Sequence, residues 1–335
     1  MGGEGIDLEA DTTTRWRDRT VVLGLLDFTR LGYRRRQARW PIPRGTLAGT
    51  LAVVTGASGG LGAAAAKGLA QRGAGLILVA RNAAKLDGVR AHIQAETGVP
   101  VETQVCDLSR LAQVETLAQN LLARPQPIGL LLNNAGVINH QLLITPEGLD
   151  AALATNLLAP FVLTERLLSH WMTHSATGPK RVINVASGGM YAVGLDPAKL
   201  QPTPGKAYNG TLAYARHKRA LVVLTQIWAE RHRSSPITFH AMHPGWADTP
   251  GFKTALPGFY RLVSPLVRSP AEGADTMVWL ASEPALDDPR WSGQFWLDRA
   301  PRPTHFLPTT QETPAKRRAL EQQLAALTTG RGTTA

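Results

Sequence analysis

The sequence predicts an α/β fold with a doubly wound parallel sheet. Three observations carry that expectation. Apolar, β-branched runs alternate with Ala- and Leu-rich helical stretches from residue 51 onward. The first run empties into a glycine-rich turn that opens a helix. No internal repeat, low-complexity tract or linker divides the alternation into two cores.

In order, strands are expected over 51–55, 76–80, 101–106, 128–132, 181–186, 237–242 and 294–297, about seven in all. Helices are expected over 61–72, 84–96, 111–123, 149–157, 161–172, 212–231, 272–281 and 315–327. Repeated strand–helix–strand units demand right-handed crossovers, so helices cover both faces of the sheet. The chain divides into an N-terminal helical extension over 1–44, one domain over 45–312, and a C-terminal helix and tail over 313–335. Within the domain, 188–211 reads as a substrate-side loop and 250–270 as a cap.

Of the 335 residues, 44% are hydrophobic, enough to bury a sizeable core. The net charge of +11 is spread along the chain and no nucleic-acid-binding motif accompanies it, so no nucleic-acid partner is expected. The single cysteine, Cys106, allows neither an intrachain disulfide nor a cysteine-based zinc site, which fits a reducing, cytoplasmic setting. No apolar run approaches the ~20 residues of a membrane span, and Glu4, Asp7, Glu9 and Asp11 spoil a signal-peptide layout. Residues 1–14 read as disordered. Residues 15–40 read as one or two amphipathic helices carrying Trp16, Leu23, Leu26 and Tyr33, and ending in Arg34, Arg35, Arg36 and Arg39. Such a stretch either lies on an anionic membrane as a peripheral contact or packs on its parent domain.

The turn after the first strand is Thr55-Gly56-Ala57-Ser58-Gly59-Gly60-Leu61-Gly62. At a helix N-terminus its backbone N–H groups and the helix dipole suit a pyrophosphate. Gly56 permits the turn, Gly60 the phosphate's approach, and Gly62 close packing of helix on strand. Arg81 follows the second strand, at the end where an acidic residue would select a ribose hydroxyl and an arginine accommodates a 2′-phosphate. NADP(H) is therefore favoured over NAD(H).

Tyr214 and Lys218 are four apart on a predicted helix and share a face. A phenol of pKa about 10 is a poor acid or base at neutral pH, and a neighbouring ammonium lowers it. Ser187 follows the fifth strand, at the carboxyl edge where such sheets bind ligands. Its hydroxyl can hold a substrate carbonyl. No Gly-x-Ser-x-Gly elbow surrounds it, so an acyl-transfer nucleophile is not expected.

This ordered set resembles the short-chain dehydrogenase/reductase family: Thr55 to Gly62, Asp107-Leu108, Asn133-Asn134-Ala135-Gly136, Asn156, Ser187, Tyr214 with Lys218, and Pro244-Gly245. The resemblance spans about residues 47–300. Within the family, Ser187 to Met190, Met242 to Gly251, Gly273 to Met277 and Arg299 to Arg302 are similar to a subgroup called SDR family member twelve. The resemblance implies a Rossmann-type fold and a nicotinamide-dependent exchange between a carbonyl and an alcohol, with homo-oligomers common. It implies that Tyr214 is the acid/base, Lys218 tunes it and holds the nicotinamide ribose, Ser187 orients the carbonyl, and Asn156 positions a relay water. Cofactor contacts are implied for Gly56, Ser58, Gly60, Leu61, Gly62, Asp107, Leu108, Asn133, Ala135, Gly136, Tyr214, Lys218, Pro244, Gly245 and Thr249. A non-catalytic nucleotide-binding regulator or scaffold is the alternative, against which the complete Ser-Tyr-Lys set argues.

Two departures stand out. Ser187 and Tyr214 are 27 positions apart, with Pro197, Pro202 and Pro204 between them, which suggests a substrate-side loop or lid. Gly59 stands where NADP(H) users often carry a basic residue, so cofactor choice rests on Arg81. The apolar run from Phe252 to Val267 either caps the pocket, hinting at a lipophilic substrate, or simply packs. His170 and His174 lack a third ligand and no metal is expected. His217 is expected to point away from the site, His243 to shape a loop, and Trp279, Trp291 and Trp296 to fill core or interface.

Overall fold

A computed structural model describes residues 26–40, 45–173, 179–202, 205 and 207–329. Eight strands form one sheet in the order β3-β2-β1-β4-β5-β6-β7-β8. They are β1 (Leu51–Thr55), β2 (Gly75–Ala80), β3 (Val101–Val105), β4 (Ile128–Asn133), β5 (Lys180–Val185), β6 (Ile237–Met242), β7 (Phe295–Leu297) and β8 (Ala300–Arg302). All neighbours are parallel except β7 and β8, which pair antiparallel.

The central strands are continuously apolar because both faces are covered. In β1, Leu51 and Val53 enter one core cluster while Ala52 and Val54 enter the other. One face carries α2 (Gly60–Gln71), α3 (Ala83–Thr97) and α9 (Pro270–Ser282). The opposite face carries α4 (Leu111–Leu122), α5 (Ala151–Thr173), α6 (Gly210–Arg231) and α10 (Pro314–Thr328). Short helices α7 (Pro250–Ala255) and α8 (Pro257–Val263) follow β6. The strand order turns back between β1 and β4, so their carboxyl ends open the crevice where this architecture binds ligands.

Three expectations need correction. An eighth strand follows β7 through a two-residue turn, Asp298-Arg299, both at positive φ (54° and 56°). Proline in β8 hid it, since proline is tolerated only on such an edge. The helices expected over 149–157 and 161–172 are one helix, α5, widened by a π turn at Ala154–Leu158. That wide turn falls just before Pro160, where the ring would obstruct the regular ladder. The same helix is long and apolar enough to cross a membrane, yet it is mostly buried within the fold. Of the extension, the described part holds one helix, α1 (Arg30–Gln37), with Tyr33 buried against the domain. Residues 1–25, Pro204 and His174 lie outside the described residues.

Candidate active site

The glycine turn joins β1 to α2 with Gly56 at φ 68° and Gly60 at φ 53°, conformations that side chains resist. A Cβ at Gly62 would strike the Gly56 carbonyl and come within 2.6 Å of Asn134 Nδ2. Close helix-to-strand packing is thus what Gly62 provides. A Cβ at Gly60 would stand 3.3 Å from Thr249 Cγ2, so Thr249 closes over the turn. Its hydroxyl caps α7, accepting from Phe252 N at 3.2 Å. Ser58 is half-buried within the turn. Leu61 packs toward α9, where a Cβ at Gly273 would come within 2.6 Å of its Cδ2.

Arg81 leaves the end of β2 exposed and forms no ion pair among the described residues. Asp107 folds into a local turn, its Oδ1 accepting from Ser109 N at 3.0 Å and Ser109 Oγ at 2.8 Å, while Leu108 is buried. Asn133 faces the core. Its Nδ2 donates to Asn184 Oδ1 at 2.9 Å, and Asn184 donates to Thr225 Oγ1 at 2.9 Å, a polar ladder across β4, β5 and α6. The turn itself is held by Asn134, which donates to the carbonyl of Thr55 at 2.9 Å. Thr55 Oγ1 in return accepts from the amides of Asn134 and Ala135 at 3.0 and 3.1 Å.

Ser187, Tyr214 and Lys218 converge above the ends of β4 and β5. Ser187 Oγ accepts from Gly189 N at 3.3 Å and lies close enough to the Tyr214 phenol to act on its pKa. Lys218 Nζ lies 5.6 Å from the Tyr214 ring centroid and donates to the Val185 carbonyl at 2.7 Å. Gly136 sits where a Cβ would be 3.4 Å from both Asn156 Oδ1 and Lys218 Nζ. Asn156 is fully buried inside the π turn of α5, a distortion frequent at functional sites. It grips Val137, accepting from its amide and donating to its carbonyl, both at 2.8 Å. Burial pushes the Tyr214 phenol up to about 12, with Ser187 opposing, and lowers Lys218 to about 7. In the protein alone desolvation therefore outweighs the lowering of the phenol expected from the lysine.

Pro244 and Gly245 follow β6, with Gly245 at φ 73°. A Cβ there would collide with the Arg268 guanidinium. Arg268 is buried and pairs with Asp298 through Nη1 at 2.5 Å and Nη2 at 2.9 Å. Arg36 from α1 reaches the same carboxylate at 2.9 Å and also pairs with Asp27. Sequence reading named Asn134 within the Asn133-Asn134-Ala135-Gly136 motif without giving it a role, and it missed Arg268 and Asp298. The first asparagine of that pair drew the cofactor role. Arg268 and Asp298 are joined over 30 positions by a contact that no local pattern reveals.

His217, Trp279 and Trp296 are buried in the fold. His217 is buried with Nε2 3.1 Å from the Leu200 carbonyl, pinning the substrate-side loop. Trp279 and Trp296 pack edge to face at 5.4 Å, with Trp291 beside them. Among the described residues no group of three metal-ligating side chains occurs. A surface groove of about 600 Å³ between α4, α5, α6 and α10 includes none of the site residues.

Comparison with known proteins decides the family. The family model described as short chain dehydrogenase matches residues 50–257. The chain is a short-chain dehydrogenase/reductase. It is 37% identical over 309 residues to Dehydrogenase/reductase SDR family member 12 of Bos taurus, covering 91% of this chain and 95% of that one. It is 32% identical to Retinol dehydrogenase 11 of Mus musculus, covering 72% of this chain and 76% of that one. Among solved structures, a short-chain dehydrogenase from Sphingobium yanoikuyae in complex with NADPH superposes with a TM-score of 0.56 at 27% identity, covering 69% of this chain and 84% of that one. This short-chain dehydrogenase/reductase is accordingly an NAD(P)-dependent oxidoreductase acting on CH–OH or carbonyl compounds.

Proposed function

We propose that this enzyme is an NADPH-preferring carbonyl reductase, with Tyr214 as general acid/base, Ser187 and Lys218 as its partners, and a lipophilic substrate. The observation that carries the reading is Lys218 Nζ 5.6 Å from the Tyr214 ring centroid, with Ser187 close to the phenol and Gly136 joining the lysine to the glycine-turn side of the site.

The residues present fit a dinucleotide. Side chains are excluded at Gly60 and Gly62, where pyrophosphate oxygens would meet backbone amides. The exposed Arg81 would take the 2′-phosphate, and Gly136, Lys218 and the 244–249 loop would hold the nicotinamide end. A nicotinamide held there supplies the hydride in the reductive direction and accepts it in the oxidative one. Ser187 Oγ holds the carbonyl oxygen. Tyr214 delivers its proton to that oxygen, which a phenol pushed to about 12 holds at neutral pH until charge develops. Lys218, lowered by burial to about 7, replenishes the tyrosine. Asn156 retains a free lone pair and a free N–H beyond its Val137 contacts, sufficient to hold a water on the proton's exit side.

The retinol dehydrogenases among its relatives and the half-buried Phe252 favour a lipophilic carbonyl or alcohol. Exposed Leu26 and Leu31 beside Arg34, Arg35 and Arg39 favour peripheral contact with an anionic membrane, tested by co-sedimentation with phosphatidylserine vesicles. The activity is tested by NADPH absorbance over a panel of aldehydes, ketones and alcohols. Wild type should turn over members that Tyr214→Phe does not, with NADPH affinity preserved. Full activity in Tyr214→Phe would remove the acid/base assignment.

A further inference from the structure

We infer that Phe28, on the N-terminal extension, is a wall of the substrate pocket and limits the size of the carbonyl compound accepted. The inference rests on the Ser187–Tyr214 reading of the site.

Gly188 directly follows Ser187, and a Cβ on it would stand 3.3 Å from Phe28 Cε2 and 3.1 Å from His243 Nε2. Only hydrogen fits between the Ser187 loop and this aromatic pair. The Phe28 ring meets His243 edge to face at 4.5 Å and Trp246 at 5.9 Å. Trp246 N donates to the Phe28 carbonyl at 2.8 Å, so the extension adds itself to the loop that follows β6. Phe28 is only half-buried, beside the loops at the carboxyl edge of the sheet.

The ring is fixed from both sides. Arg268 donates to the carbonyl of Asp27 at 2.6 Å and of Thr29 at 3.3 Å, the two residues flanking Phe28. The same guanidinium reaches the Pro244 carbonyl at 3.4 Å and the Asp298 carboxylate. One buried cation thus ties the extension to the loop beside the site, which gives Phe28 the rigidity a selective wall requires.

The test uses the full chain with NADPH and a series of ketones of graded bulk. Phe28→Ala should raise kcat/KM for the bulkiest ketone relative to the smallest by about tenfold or more, and Phe28→Trp should lower that ratio. A common factor across the series in both variants would overturn the inference. Phe28→Leu, which keeps apolar packing, guards against misfolding and should fall between wild type and alanine. The contact itself is read by thermal unfolding: Gly188→Ala should lower Tm in wild type and lower it less in Phe28→Ala. Additive losses would deny the contact. Tyr214→Phe on the same ketones separates the parent reading, because its continued turnover would remove the acid/base role while the size ratios still decide Phe28.

Discussion

Asn156 and Lys218 approach each other across Gly136, whose missing side chain leaves a space 3.4 Å from both the Asn156 Oδ1 and the Lys218 Nζ. The asparagine is delivered by a π turn and the lysine by a regular helix, so two elements with no sequence proximity meet at one glycine. Asn156→Ala leaves the amide and carbonyl of Val137 without their partners. Two lost hydrogen bonds should cost roughly 2 kcal/mol, read from the urea midpoint. Turnover should fall by on the order of tenfold through misplacement of Lys218. Unchanged kcat in a destabilised variant would assign Asn156 to structure alone.

Three histidines bind the enzyme's stability to pH. Burial holds His217 down at about 4, and His240 and His243 down at about 3. An unfolded histidine protonates near 6.5, so below that pH the unfolded chain binds protons that the folded one refuses. Stability is therefore full above about pH 6.5 and falls as pH drops, by ~1.4 kcal/mol per unit for each histidine. His240→Phe should remove about one proton from the slope of unfolding free energy between pH 6 and 5. A slope identical to wild type would show that His240 does not stay neutral.

The sheet was legible because its strands announce themselves. β1, β2 and β5 are buried on both faces, and only uninterrupted apolar runs satisfy that. The glycine turn and the Tyr214–Lys218 pair were legible because each is local, fixed by spacing on one element. What escaped was non-local or masked by a rule. Proline hid β8 and split α5, and a lone arginine at 268 carries no sign that it will meet Asp298 and the carbonyls of Asp27 and Thr29. The extension's basic run left membrane contact open beside packing on the domain, which its short apolar run favoured. Tertiary contacts of Tyr33 and Arg36 seat α1 on the domain.

Arg268→Met strands the Asp298 carboxylate, which is 2% exposed, with Arg36 as its remaining partner. Breaking a buried pair from one side costs about 3–5 kcal/mol. Asp298 also sits at φ 54°, a conformation that only its partners hold in place. The variant should lose that stability in urea and become sensitive to limited proteolysis between residues 26 and 40. Protection equal to wild type would mean the extension is held by α1 alone.

The proposed preference for NADPH rests on a single exposed side chain. Gly59 offers no charge in the turn, so the proposal gives the 2′-phosphate to Arg81. Charge-assisted hydrogen bonds to such a group are worth about 1.5–3 kcal/mol, or roughly ten- to hundredfold. Asn82, not Arg81, caps α3 by accepting from Lys85 N at 2.9 Å, so changing position 81 leaves the local backbone intact. Arg81→Asp should accordingly unfold within about 0.5 kcal/mol of wild type. Its kcat/KM for NADPH should fall by that factor while NADH gains, because a carboxylate accepts from the ribose hydroxyls that the phosphate otherwise occupies. An unchanged ratio between the two cofactors, in a variant that folds normally, would place the discriminating contact elsewhere in the site.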